Sequence, residues 1–317
     1  MPLLIRRAAE TPQAAARKNG KRESMADDAA PALGWPGKAS PARAGVLQEC
    51  SNPGCNSGWL QLWRRREVPV FEGGWCCSEK CTAARVALAV GREMDGRGSG
   101  RPSRAHRIPL GLAMLEQGWI TQEDLRSALV AQRAAGGGKL GGWLVRQGSA
   151  SEELVTRALG LQWGCPVLDM EMRNPEGLTA LVPRLFVDAF GALPLRVAAA
   201  KILYLGFEDR LDPALALALE RMAGLRVESG LVEESRFRPA LARMLEAPFA
   251  PAELIEAATE AALARAFSKA IERARPIEAH LVRVHDCLWL RMWLRPQNGP
   301  LPDLDSIQDV IGSAGAL

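Results

Sequence analysis

Five of the seven cysteines, Cys50, Cys55, Cys76, Cys77 and Cys81, crowd into one short window, while Cys165 and Cys287 stand alone. Thiols grouped in this way, in a chain with no signal-peptide core, point to metal before disulfides. Tetrahedral zinc needs four soft ligands held by tight turns. The segment CSNPGC supplies Cys50 and Cys55 across an Asn-Pro-Gly turn, and Cys81 pairs with either Cys76 or Cys77. Ser78 is placed to begin a helix running through Ala83, Val86, Ala87 and Val90, so Cys81 falls in its first turn, where helix N-terminal amides favour a thiolate. The stretch between the two pairs has strand-like composition and ends in a Gly-Gly turn, as a small ribbon does when it closes on a metal. Four protein ligands leave no position for water, so a zinc ion here is structural.

A second set of residues recurs. PLGLAMLEQGWITQEDLRSALVAQ, from Pro109 to Gln132, and KLGGWLVRQGSASEELVTRALGLQ, from Lys139 to Gln162, are two copies of one pattern at an offset of thirty residues. Leu110-Gly111 aligns with Leu140-Gly141, Met114 with Leu144, Gly118 with Gly148, Leu125 with Val155, Leu129 with Leu159 and Gln132 with Gln162. Each copy reads as a short helix stopped by glycine, then a capped second helix: Thr121 with Asp124 forms a capping box, and Ser151 caps the second copy. Leu125 with Leu129, and Val155 with Leu159, lie one turn apart on a core-facing stripe.

Both copies resemble the Leu-Gly-x-x-Leu-x-x-x-Gly-x-Leu…Gln motif of the MshEN-type domain, the N-terminal domain of type II secretion and type IV pilus assembly ATPases. WGCPVLDM, Trp163 to Met170, resembles that family's exit strand, and the likeness continues to about residue 247. The spacing of Cys77 and Cys81 resembles the knuckle of treble-clef fingers, which favours Cys77 over Cys76. The family resemblance implies cyclic di-GMP as ligand, with one motif copy on each half of the two-fold molecule. Arg107, Leu110, Gly111, Met114, Gln132, Lys139, Leu140, Gly141, Leu144 and Gln162 are the residues it assigns to that site. The glycines would let backbone amides approach ribose or phosphate, and the glutamines would reach a guanine edge. The family pattern opens with arginine, whereas this chain has Pro109 and Lys139 there; Arg107, Arg133 and Arg146 are the nearby substitutes. The implied partners are secretion or pilus machinery proteins.

The elements that must position these residues follow from the rest of the 317-residue chain, which is 48% apolar with a net charge of +4. The expected class is α+β: a zinc knuckle, a helical-hairpin repeat bundle packed with a small α/β layer, then a C-terminal helix and β-hairpin. The expected boundaries are a disordered basic extension over 1–45, the knuckle over 46–92, a linker over 93–104, the repeat-bearing domain over 105–247 and the C-terminal part over 248–317. Met25 offers a second start. Within the α/β layer, Ile202 to Phe207 reads as a strand, Asp212 and Pro213 cap a helix ended by Gly224, and Leu225 to Val232 reads as another strand. An Ala-rich helix is expected over 252–274, and the run from Pro276 to Pro296 resembles a truncated start of the domain before the ATPase motor.

No Gly-x-x-x-x-Gly-Lys-Ser/Thr occurs, His280 and His285 lack a ligand partner at metal spacing, and no nucleophile–base pattern is visible. The expectation is a non-catalytic, cytoplasmic regulatory or adaptor protein without membrane insertion, peripheral to an inner-membrane complex. The alternatives are a docking adaptor that binds no nucleotide and, on Arg64, Arg65 and Arg66 among Trp59, Trp63 and Trp75, a zinc-finger nucleic-acid binder. The low net charge speaks against nucleic acid.

Overall fold

The computed structural model describes residues 49–56, 69–95, 108–170, 175–297, 299 and 301–315. Arg107, the expected extension, residues 96–104 of the expected linker and the Trp59 to Arg66 segment lie outside them; residues 93–95, expected to open the linker, instead finish a helix that runs to Asp95. The chain is α+β.

The first described element is a two-residue hairpin, β1 (Val70–Phe71) and β2 (Gly74–Trp75), turning through Glu72 and Gly73. Both turn residues have positive φ, 48° and 72°, which matches the right-handed twist of a tight hairpin. Gly74, expected in the turn, lies in β2, where any Cβ would strike Ser51. Helix α1 (Glu79–Asp95) follows and buries Val86, Ala89, Val90 and Met94.

The repeat gives four helices: α2 (Leu110–Glu116), α3 (Gln122–Ala134), α4 (Leu140–Arg146) and α5 (Glu152–Trp163). Gly118 and Gly148, at φ 68° and 70°, stop the short helices. The capping box at Thr121 forms with Asp124, and Ser151 accepts from Leu154 N. The copies interlock, because α2 packs on α5 and α3 on α4 around buried Met114, Ile120, Ala128, Leu144 and Ala158.

Next come α6 (Pro175–Leu178), α7 (Arg184–Phe190), β3 (Leu193–Ala198), β4 (Ile202–Phe207), α8 (Pro213–Ala223), β5 (Arg226–Leu231) and α9 (Glu234–Glu246). Strand β4 pairs antiparallel with β3 and parallel with β5. Asp212 caps α8 through Leu215 N, and Gly224 closes it in the left-handed region. The exit segment is no full strand: Val167 makes a single parallel bridge to Leu231.

Where one helix is expected over 252–274, the structure has β6 (Ala252–Ala257) and then α10 (Glu260–Ala274). Two facts decide it. Thr259 is a strong N-cap, accepting from Ala262 N at 3.1 Å, and β6 finds a parallel partner in β9 (Ile307–Ala314). With β7 (Glu278–Val284) and β8 (Cys287–Trp293), the expected hairpin becomes two strands of a four-stranded sheet in the order β6-β9-β8-β7. Val282, Val284, Trp289, Trp293 and Ile311 join the core of the α/β layer, while Leu281, Leu288, Leu290 and Met292 pack with α10 and α1 on the other face. Period-two alternation thus feeds two cores.

The knuckle helix is tied into this arrangement by Glu93, 8% exposed. Its carboxylate accepts from Arg221 of α8 at 2.8 and 3.2 Å, from Arg92 at 3.1 Å and from the backbone N of Arg283 in β7 at 3.3 Å. Burial would raise the Glu93 pKa, but the hydrogen bonds and charges of Arg221 and Arg92 hold it below the usual carboxylate range. Replacing Glu93→Gln is expected to cost about 1–3 kcal/mol at neutral pH, the arginines' partial exposure reducing it toward the lower figure. A depressed carboxylate stabilises above its unfolded pKa of about 4.3, and that contribution fades as pH falls through the native value. Urea unfolding of the two proteins should therefore differ at pH 7 and converge under more acidic conditions; an equal gap at both would contradict the assignment.

Candidate functional site

The cysteine centre is assembled from two loops. Ser51 N donates to Trp75 O at 2.9 Å and Cys55 N to Asn52 O at 3.0 Å, which pins the first cysteine turn against β2. Cys77 stands just before Ser78, which caps α1, and the first turn of that helix carries Cys81. The sulfurs of Cys50, Cys55, Cys77 and Cys81 all lie within 4.8 Å of one another. Cys55 to Cys77 is 3.5 Å and Cys77 to Cys81 is 3.6 Å. Zn–S bonds of about 2.3 Å place tetrahedral sulfurs about 3.8 Å apart, so the four positions fit one ion. Cys76 is buried outside the set, beside the Ser51 hydroxyl at 3.5 Å.

Two amides face these sulfurs: Cys77 N donates to Cys50 Sγ at 3.5 Å and Asn52 Nδ2 to Cys81 Sγ at 3.4 Å. Burial pushes the Cys50 thiol up to about 12, with hydrogen bonds from the Cys77 and Asn52 backbones opposing it. A divalent cation must therefore displace protons to bind, and its charge replaces what burial takes away.

The repeat residues take different places. Leu110, Lys139, Leu140 and Gly141 line an open groove of about 840 Å³ between α4, α5 and the α/β layer. Met114 and Leu144 are fully buried in the core of the bundle. Gly111 and Gly141 serve helix packing: a Cβ on Gly111 would sit 2.6 Å from Leu125 Cδ1, and one on Gly141 would strike Val155 Cγ1. On the side where a Cβ would stand, both glycines meet the chain's own side chains, while Gly141 also borders the groove. The glutamines are also engaged. Gln132 Nε2 donates to Gly138 O at 2.5 Å and Gln162 Nε2 to Ile108 O at 2.7 Å. Each glutamine thus holds the backbone just before the opening residue of a motif, the two bonds being related by the thirty-residue offset.

The groove has partners that motif spacing does not reveal. Lys139 Nζ reaches Glu208 at 2.5 Å and Asp209 at 2.9 Å, both in the loop after β4. Arg238 of α9 pairs with Glu208 at 3.1 Å and with Glu234 at 2.6 Å. Burial would lower the Lys139 pKa, but hydrogen bonds to Glu208 and Asp209 raise it above the ordinary lysine value; Glu208, raised by burial, is held low by Arg238 and Lys139. Arg146 lies 3.7 Å over the Trp143 ring and bonds Gly142 O at 3.2 Å. Glu208, Asp209, Glu234 and Arg238 come from elements tens of residues away, whereas Lys139 and Arg146 belong to the motif. His285, in the turn after β7, meets Asp212 Oδ2 at 2.6 Å, a carboxylate partner supplied by distant sequence.

No family model matches the chain. It is similar to the bacteriophage adsorption protein B of Escherichia coli, 34% identical over 125 residues, 39% of this chain and 16% of that protein. It is also similar to the type IV pilus assembly ATPase PilB of Thermus thermophilus, 33% identical over 136 residues, 42% of this chain and 15% of that one. The matched segment spans about a sixth of either relative. Among solved structures, that of MshE with cdg shares 24% identity and a TM-score of 0.35, covering 44% of this chain and 99% of that one. The N-terminal domain of XpsE shares 23% identity and a TM-score of 0.31, covering 42% and 92%.

Since one ion fits the four sulfurs, chain purified under reducing conditions without chelator is expected to carry about one divalent metal, and Cys81→Ser to lose it. Because α1 is built into the same core as α10, that loss should lower the melting temperature of the chain as a whole. Metal-free wild type with an unchanged melting curve would contradict this.

Proposed function

We propose that the chain is a non-catalytic regulatory or adaptor protein of a secretion or pilus machine, with a zinc-stapled knuckle and a repeat module that senses cyclic di-GMP. The observation that carries this reading is the groove itself: it lies where the second Leu-Gly motif meets the α/β layer, with an apolar floor for a purine and three cations set among four carboxylates, Arg146 being the one that no carboxylate of the described residues pairs. The similarity to part of a type IV pilus assembly ATPase supports the machine, and the absence of a phosphate-binding loop pattern supports a binding role without hydrolysis. The soft, four-sulfur donor set supports zinc, which would act structurally. No described helix is long and apolar enough to cross a membrane.

A second reading, a docking adaptor that binds no nucleotide, has one observation in its favour. Lys139 and both motif glutamines are already committed inside the chain, and Pro109 brings no charge.

Calorimetric titration of the full chain with cyclic di-GMP separates the two. Binding is expected, and Pro109→Arg, which adds a planar cation at the first motif, is expected to strengthen it about tenfold, as one well-placed charge-assisted contact does. A flat trace at several hundred micromolar ligand for both proteins leaves the docking adaptor.

A further inference from the structure

Seven charged side chains face the groove. The cations are Lys139, Arg146 and Arg238; the carboxylates are Glu152, Glu208, Asp209 and Glu234. Four negative charges against three positive make an unusual wall for an anionic ligand, so the distribution of the cations decides what the ligand meets. Arg146 makes no carboxylate ion pair among the described residues and rests on Trp143. Arg238 is shared between Glu208 and Glu234. Glu152 is engaged by Ser235 N at 2.6 Å. Lys139, the opening residue of the second motif, is held by two carboxylates at once.

We infer that Glu208 and Asp209 determine the affinity and specificity of the groove by competing with an anionic ligand for Lys139. The inference rests on the cyclic di-GMP reading of the same groove and adds to it two residues from outside the repeated motif. A phosphate approaching Lys139 replaces carboxylate partners already in ion-pair contact, and it does so next to their uncompensated charge. Ligands with little negative charge gain nothing from Lys139, and a dianion gains only the surplus over the internal pair. The same exchange ties the ligand to the α/β layer, since Glu208 and Asp209 sit in the β4–α8 loop and Asp209 O also receives the Trp163 indole at 2.9 Å.

The test uses the full chain and cyclic di-GMP. Replacing Glu208→Gln together with Asp209→Asn removes two charges while keeping size and leaves Arg238 its bond to Glu234. Affinity is expected to rise about tenfold or more, in line with like charges close to an anion in a partly shielded site. Lys139→Met is expected to lower affinity much more in the double variant than in the wild type, abolishing the gain; this non-additivity is the signature of competition. Should the double variant fold poorly by thermal melting, Asp209→Asn alone, at a half-buried position, is expected to give a smaller gain of the same sign. Binding by wild type with no gain in any carboxylate variant overturns the inference and leaves the ligand reading standing. No binding by wild type, Pro109→Arg or the carboxylate variants overturns both.

Discussion

The central strands β8 and β9 of the four-stranded sheet are buried on both faces, and the rest of the molecule is arranged around that constraint. Strands β7 and β8 carry apolar side chains at every position type, one set facing α1 and α10 and the other facing the α/β layer. Such a sheet tolerates charge only where the partner is already in place. Arg291 and Asp309, 1% and 0% exposed, meet that condition. Two bonds of 2.7 Å join them, Trp289 Nε1 adds a third to Asp309 at 2.8 Å, and Arg291 also donates to Leu181 O at 3.0 Å. The last bond reaches from the sheet into the segment before α7, so the pair fixes the α/β layer against the sheet as well as β8 against β9.

The other face needs a cover, and α1 supplies part of it beside α10. The cysteine centre therefore sits at the beginning of a helix whose end is clamped by Glu93 to α8 and β7. An ion at Cys50, Cys55, Cys77 and Cys81 would organise only two loops directly. Its effect reaches the sheet because helix α1 transmits it through packed Val86, Val90 and Met94. The hairpin β1 extends the same logic, since Val70 N and Glu72 N bond Pro276 O and Ala279 O and so cover the β7 edge.

Legibility in the sequence tracked how local the governing interaction is. The repeat, its glycine stops, the Thr121 and Ser151 caps and the Asp212–Gly224 helix were readable because each depends on residues within a few positions. The cysteine set was readable for the same reason, apart from the choice between Cys76 and Cys77, which the fold makes through the direction of β2. Residues 252–257 were misread because AELIEA satisfies helical and alternating patterns equally, and only the distant β9 decides. At Gly111 and Gly141 a missing side chain signals close approach without naming what approaches; within the chain it is Leu125 and Val155. Glu208, Asp209 and Arg238 could not be found from the motif, since folding alone brings them to Lys139.

Symmetry explains why the two motif copies are not equivalent as binding elements. The glutamine bonds from Gln132 to Gly138 and from Gln162 to Ile108 treat both copies alike, so the scaffold keeps its internal two-fold. What breaks it is the α/β layer, which stands against α4 and α5 and brings carboxylates to Lys139, while Pro109 at the matching position carries no charge to attract any. A two-fold ligand placed on this scaffold would meet a charged, internally neutralised end at one copy and an uncharged end at the other. Its binding energy would come mostly from apolar contact with Leu110, Leu140 and Val155 and from Arg146 on Trp143. The electrostatic part would depend on how readily the β4–α8 loop releases Lys139.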